Sequence, residues 1–176
     1  MEIIINSLYS EKEVFLRELV SNAIDANDKI RFMALTDEAL RGLNPELSVK
    51  ISFNQEEKTL TIKDTGVGMS KDELVSNLGT LAKSGTTAFL EQIQAGNMNL
   101  IGQFGVGFYS AFLVADTVEV HTRKFDHLGY RWTSSASNEF HIEELGEIDH
   151  GTSIVLHLKE VFASTRNPIS TSTPSI

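Results

Sequence analysis

The sequence predicts an α+β domain, a two-layer sandwich in which one mostly antiparallel, twisted sheet is covered on one face by helices. Three observations carry that prediction. Apolar residues recur at helical spacing from Ser10 to about Leu35. Several later segments alternate apolar with polar residues, the period of a half-buried strand. Most of these segments follow one another across short turns, whereas parallel βαβ units would place a helix between each pair.

Ser10 is the N-cap candidate of the first helix, and Glu13 three residues on completes a capping box. Leu16, Val20, Ala23, Ile24, Ile30 and Ala34 supply its apolar stripe, and Gly42 to Pro45 ends the region with turn residues. Leu47 to Phe53 and Leu60 to Lys63 form a hairpin across the polar turn Asn54-Gln55-Glu56-Glu57. The second strand runs into Asp64-Thr65-Gly66-Val67-Gly68, and Ser70-Lys71-Asp72-Glu73 opens a short helix with a second capping box. Gly79 to Gly85 is a break, Thr86 to Gln94 a further short helix, and Tyr109 to Ala115 an apolar helix behind the glycines of 102–107. Strands follow at about Thr117 to Arg123, Tyr130 to Ser134, Glu139 to Ile142 and Thr152 to Leu158, with turns at Asp126 to Gly129 and Glu147 to Gly151. Residues 1–160 make one domain. Residues 161–176, rich in Ser, Thr and Pro from Ser164, are expected to be an irregular tail.

Composition narrows the function classes. The 176 residues suffice for one well-filled core, and the 41% hydrophobic and 22% charged fractions are ordinary for a globular protein. No cysteine is present, which excludes disulfides and cysteine metal sites. The five histidines lack metal-ligand spacing. A net charge of −9 runs against tracking nucleic-acid phosphates, and no apolar run is long enough to cross a membrane. Met1-Glu2-Ile3-Ile4-Ile5-Asn6 is too short and too acidic for a signal peptide.

Glu18, Asn22, Asp25 and Lys29 fall at i, i+4, i+7 and i+11 and share one helix face, which either lines a cleft or meets solvent. Asp64 closes a strand ahead of Gly66 and Gly68. A carboxylate there can accept from an exocyclic amine such as that of adenine, with glycines letting backbone approach a ligand; an ordinary Asp-x-Gly turn is the alternative. Gly102, Gly105 and Gly107 precede a helix start, which makes either an anion site or a tight packing contact. The P-loop signature is absent, since Ala82 stands where Gly79-Thr80-Leu81-Ala82-Lys83-Ser84 would need its second glycine. The spacing G-x-x-G-x-G is not the Rossmann order, and the protein-kinase set is missing.

What remains is Glu-x-x-x-Asn on a helix, Asp-x-Gly-x-Gly after a strand, Gly-x-x-Gly-x-Gly before a helix, and Gly151-Thr152 opening a late strand. In this order they resemble the ATP-binding fold shared by gyrase-type topoisomerases, sensor histidine kinases, MutL proteins and the ninety-kilodalton heat-shock chaperones. Four stretches are similar to the chaperones almost letter for letter: Phe15 to Ala23, Asp64 to Met69, Asn77 to Thr86 and Ile101 to Ala111. The resemblance spans about Ile4 to Glu160. Ser137-Asn138-Glu139-Phe140 and Phe112 to Asp116 look closer to the endoplasmic-reticulum members. The short Gln94-Ala95-Gly96 loop and Leu156 to Glu160 look closer to the cytosolic ones.

The resemblance implies an ATPase using ATP or ADP with Mg²⁺, in which Glu18 is the general base and Asn22 completes the Mg²⁺ shell. Asp64 would fix the adenine amine, with Gly68 and Thr152 helping through water. Met69 and Leu78 would pack around the base, and Asn77 would reach the ribose or α-phosphate. Phe108 and the amides of Gly102, Gly105, Val106 and Gly107 would hold phosphates. Lys83 would offset phosphate charge from a mobile lid over Gly79 to Gly107. Ala26, Asp25 and Lys29 join the pocket wall, although Asp25 and Lys29 are also placed to pair with each other. Implied partners are client proteins, co-chaperones, a second subunit in a homodimer, and ansamycin- or resorcinol-type inhibitors in the pocket; no nucleic acid is among them. The family's segment before Ile3, which is exchanged between subunits, and its middle domain with an arginine for the γ-phosphate are absent here. Nucleotide binding is therefore expected to outlast turnover. Two rival functions share this pattern, a DNA-acting topoisomerase or MutL-type ATPase and a nucleotide-binding interaction module without turnover. The implied compartment is the endoplasmic-reticulum lumen, with the cytoplasm as the alternative.

Overall fold

Nothing between Glu2 and Met33 interrupts a helix: the stretch has no glycine or proline, and its one long helix, α1, covers that whole range. The computed structural model of the chain describes residues 2–43, 46–79, 107–135 and 139–160. α2 spans Glu38–Leu43 and α3 Lys71–Leu74, which runs on into a single π-turn at Val75–Gly79; a 3-10 helix covers Gly107–Leu113. The strands are β1 Val49–Asn54, β2 Thr59–Asp64, β3 Ala115–Arg123, β4 Gly129–Ser134, β5 Phe140–Gly146 and β6 Gly151–Leu158. They form one antiparallel sheet in the order β1-β2-β6-β3-β4-β5. The predicted helix at Thr86 to Gln94, the lid segment and the tail lie outside the described residues.

The register sorts side chains into rows. Ile51, Ile62, Ile154, Val120, Trp132 and Ile142 lie opposite one another across all the strands. Two residues along, on the same face, Phe53, Leu60, Leu156, Val118, Ser134 and Phe140 make a second row. Apart from Ile51 and Phe53, which are exposed on β1, these rows carry the buried core with Phe15 and Leu19 of α1 and with Phe108, Phe112 and Leu113 of the 3-10 helix. Phe108 meets Trp132 edge to face at 5.7 Å, and Trp132 stacks on Phe140 at 6.3 Å. On the opposite face the alternate residues are only partly covered. There Glu119 takes hydrogen bonds from His121 and His157 at 2.9 and 3.0 Å.

The hairpin, the capping box at Ser70 and the late strands stand where the pattern put them. At the cap, Ser70 Oγ accepts from Glu73 N at 3.3 Å and Glu73 Oε2 accepts from Ser70 N at 2.8 Å. Two expectations fail. Ser10 is not an N-cap, because it lies inside α1; serine in mid-helix is only mildly unfavourable, so the Ser-x-x-Glu pattern alone does not start a helix there. The apolar segment expected as a helix from Tyr109 to Ala115 is a 3-10 helix ending at Leu113, with Val114 N donating to Ala111 O at 3.2 Å and β3 starting at Ala115. Phe108, Ala111, Phe112, Leu113 and Val114 are all buried, so core packing sets this conformation over the local period.

α1 docks on the loop after β2 through backbone. Val67 N donates to Ala26 O at 3.1 Å, and a Cβ on Gly66 would lie 2.5 Å from the Ala26 carbonyl carbon. Glycine is therefore required at 66 by the approach of the helix. Gly66→Ala is expected to lower stability by about 2 kcal/mol, the usual scale of overpacking, read as the midpoint shift in urea unfolding at unchanged slope.

Candidate functional site

Between α1 and the exposed end of the sheet lies a cavity of about 920 Å³, the size of a small-molecule site. One wall is α1, contributing Asn22, Asp25, Ala26 and Lys29. The floor is the sheet: Ile62, Val120 and Ile154 from the apolar row, and beside them Asp64 and Thr152. Gly68 and Met69 of the loop, Asn77 and Leu78 of the π-turn, and Phe108 close the remaining sides. Sequence positions far apart thus converge on one space. Glu18, one turn before Asn22, is half-buried and is not among the lining residues. Gly107 opens the 3-10 helix. Lys83, Gly102, Gly105 and Val106 lie outside the described residues.

Asp64 is buried at the inner edge of the floor. Its Oδ1 accepts from Gly66 N at 2.9 Å and Thr152 N at 3.3 Å. Oδ2 makes no hydrogen bond among the described residues, and Asp64 lines the cavity. Burial pushes the carboxyl up from 3.8 to about 6, a rise that the two backbone donors only partly offset. A free carboxylate oxygen in a largely apolar pocket is a strong acceptor for a ligand N–H.

Gly68 takes φ +67°, and a Cβ there would sit 2.0 Å from the Arg123 carbonyl oxygen. Both Gly66 and Gly68 are thus needed for chain to pass chain. Gly68 also lines the cavity. Asp25 and Lys29 do not pair: both are exposed on the cavity side of α1, and no hydrogen bond or ion pair joins them. Phe108 presents a buried ring that is also in edge contact with Trp132, so its side chain is an apolar wall.

Three residues around the cavity were not singled out as site residues from the sequence, although Glu73 was marked there as a capping-box partner. Thr122, fully buried, accepts from Met69 N at 2.9 Å and touches Thr152 Oγ1 at 2.9 Å, holding loop and floor together. Lys124 and Glu73 line the cavity as an ion pair of 2.6 Å. Burial pushes the Glu73 carboxyl up, but hydrogen bonds from Lys124 and Ser70 and the lysine's charge together hold it below its ordinary value. No spacing rule points to the contacts of Thr122 or to the Lys124–Glu73 pair, because each joins distant parts of the chain; only the burial of alternate residues in β3 would have marked Thr122. Among the described residues, no three His, Cys, Asp or Glu side chains form a metal-binding group, and no helix is long and apolar enough to cross a membrane.

Residues 9–160 match the family model described as histidine kinase-, DNA gyrase B-, and HSP90-like ATPase. The chain is 51% identical over 167 residues to chaperone protein HtpG of Nitrosomonas eutropha, covering 91% of this chain and 26% of that protein. It is 51% identical over 164 residues to HtpG of Helicobacter pylori, with the same coverage. It is 54% identical over 166 residues to an endoplasmin homolog of Hordeum vulgare, covering 91% of this chain and 20% of the relative. The chain therefore spans only 20–26% of the length of these relatives.

The raised Asp64 value has a thermodynamic consequence. The folded chain holds this proton more tightly than the unfolded one, so the group's contribution is fully present below 3.8 and is lost as pH rises through about 6. At neutral pH the ionised form opposes folding by up to about 3 kcal/mol. Asp64→Asn keeps an acceptor for Gly66 and Thr152 without the charge. The ligand-free variant is expected to melt roughly 5 °C above the parent at pH 7.5, with the gap closing towards pH 4.5; an equal gap at both values would contradict it.

Proposed function

Because the chain belongs to the family of histidine kinase-, DNA gyrase B- and HSP90-like ATPases, we propose that it is the ATP-binding and ATP-hydrolysing domain of a dimeric molecular chaperone that assists protein folding. The observation that carries this reading is Asp64, a buried carboxylate whose Oδ1 is held by two backbone amides and whose Oδ2 is left to a cavity floored by Ile62, Val120 and Ile154. Apolar surface beside one fixed acceptor suits a flat heteroaromatic ring bearing an amine, as in adenine. Met69 and Leu78 would flank the ring, and Asn77 would face the sugar side. The relatives at 51–54% identity bear the names of chaperones, which favours this reading over a DNA-acting enzyme.

Asn22 fits a Mg²⁺ ion that arrives with the phosphates. A neutral amide oxygen is one hard ligand, and among the described residues no acidic cluster forms a cage that would hold the ion without the nucleotide. Mg²⁺ would supply charge neutralisation at the phosphates. Glu18, on the same face one turn earlier, is the proposed base for the attacking water. Clients, co-chaperones, a homodimeric partner and ansamycin- or resorcinol-type inhibitors are the proposed partners of the whole protein. The endoplasmic-reticulum lumen is its proposed compartment and the cytoplasm the alternative.

Calorimetric titration of Mg-ADP tests the pocket. The parent is expected to bind, and Asp64→Asn to weaken binding at least about 100-fold, since an amide presents a donor where the amine needs an acceptor. A folded parent without binding would overturn the reading, and equal binding by both would move the site away from Asp64. Glu18→Ala is expected to abolish phosphate release while leaving the ADP affinity within about threefold. Unchanged turnover would remove Glu18 from the base role.

A further inference from the structure

Thr122 does not line the cavity, yet its hydrogen bonds determine what the cavity floor presents. Its side chain is fully buried beneath Thr152, its cross-strand partner. Three groups lie within hydrogen-bond distance of Thr122 Oγ1: Met69 N at 2.9 Å, Gly151 O at 3.2 Å and Thr152 Oγ1 at 2.9 Å. An amide N–H only donates, a carbonyl only accepts, and a hydroxyl has one proton. Thr122 accepts from Met69 N, and its own proton has two acceptors in reach, Gly151 O and Thr152 Oγ1. With the proton on Gly151 O, Thr122 has only a lone pair left towards Thr152, which then donates along the row to Thr122 and keeps its own lone pairs for the cavity.

Asp64 is the next residue in the same row. Its Oδ1 is taken by the Gly66 and Thr152 amides, so it too presents an acceptor, Oδ2. We propose that Thr122 keeps its proton on Gly151 O and is thereby a specificity-positioning residue: by fixing the direction of the Thr152 hydroxyl proton it makes this part of the floor all-acceptor, selecting a purine with an exocyclic amine over one with a carbonyl at that position. The inference rests on the nucleotide reading above. An amine has two N–H groups for two acceptors, whereas a carbonyl oxygen meets lone pairs on both sides. Without the Thr122 hydroxyl, the Thr152 proton is free to rotate and donate to such a carbonyl.

The test compares Mg-ADP with Mg-IDP, whose hypoxanthine base carries a carbonyl in place of the amine, by calorimetry on the chain and its variants. The unsubstituted chain is expected to prefer ADP. In Thr122→Val the ratio of the two dissociation constants is expected to fall about fivefold or more, the scale of one hydrogen bond. Thr122→Ser, which keeps the hydroxyl, is expected to retain the parent ratio. Thr152→Ala removes one opposing lone pair directly and is expected to lower the ratio as well, which decides the matter should Thr122→Val not fold. A purely structural role for Thr122 would weaken both ligands equally, and an unchanged ratio in Thr122→Val, or in Thr152→Ala where that variant decides, would overturn the inference. Equal affinities in the unsubstituted chain would overturn it too while leaving the nucleotide site standing. Binding of neither nucleotide would remove both readings.

Discussion

The pairing of β2 with β6 and of β6 with β3 determines what the cavity can be. In this register Ile62, Ile154 and Val120 form a continuous apolar row, and Asp64, Thr152 and Thr122 stand beside it as a polar row on the same face. A slip of one residue in any strand would turn its members to the other side and break both rows at once. The core and the site are thus consequences of one alignment. Apolar rows bury against α1 and the 3-10 helix; the polar row lies where α1 and the sheet leave a gap.

That polar row is tolerable in a buried place because its members satisfy one another. Backbone amides of Gly66 and Thr152 hold Asp64, and Thr122 links Met69 N, Gly151 O and Thr152. The remaining imbalance is concentrated in one atom, Asp64 Oδ2. Its desolvation raises the carboxyl to about 6, so the free chain carries a destabilising charge at neutral pH that an incoming N–H relieves. On the proposed reading, stability withheld from the empty fold in this way would return as affinity, a common trade at binding sites.

Much of this was legible in the sequence, and what was not shares a physical cause. Local signals with a direct mechanism came through: the hairpin, the capping box that Ser70 and Glu73 form, and Asp64 at the end of a strand. Asn22, Lys29, Met69, Asn77 and Thr152 were named from motifs and resemblance, and the structure gathers all of them around one cavity. The failures involve context. Ser10 carried a start signal that the uninterrupted helix before it made irrelevant. Asp25 and Lys29 had pairing geometry on paper but stand apart beside a cavity. The motif around Gly66 and Gly68 gave no sign that their missing side chains also make room for Ala26 and Arg123. Thr122 looked like one more strand threonine, since its importance depends on a register that no local pattern reveals.

The charges on the cavity wall constrain how an anionic ligand can be held. Asp25, Asp28, Asp64 and Glu73 line it, against Lys29 and Lys124. Lys124 is committed to Glu73 at 2.6 Å, and Asp28 lies 3.7 Å from Arg31, with both side chains exposed. Lys29 is therefore the lining cation not already paired among the described residues, on a chain whose net charge is −9. One exposed ammonium is a weak counterweight to a polyphosphate in solvent. On the proposed reading a divalent cation arriving with the polyphosphate would add compensation, and the neutral Asn22 amide could receive it without adding charge. On the same reading the base end would work in the opposite sense, with the Asp64 carboxylate as acceptor for a donor. A purine nucleotide, with its amine at one end and its metal-bound phosphates at the other, matches both ends of this cavity at once.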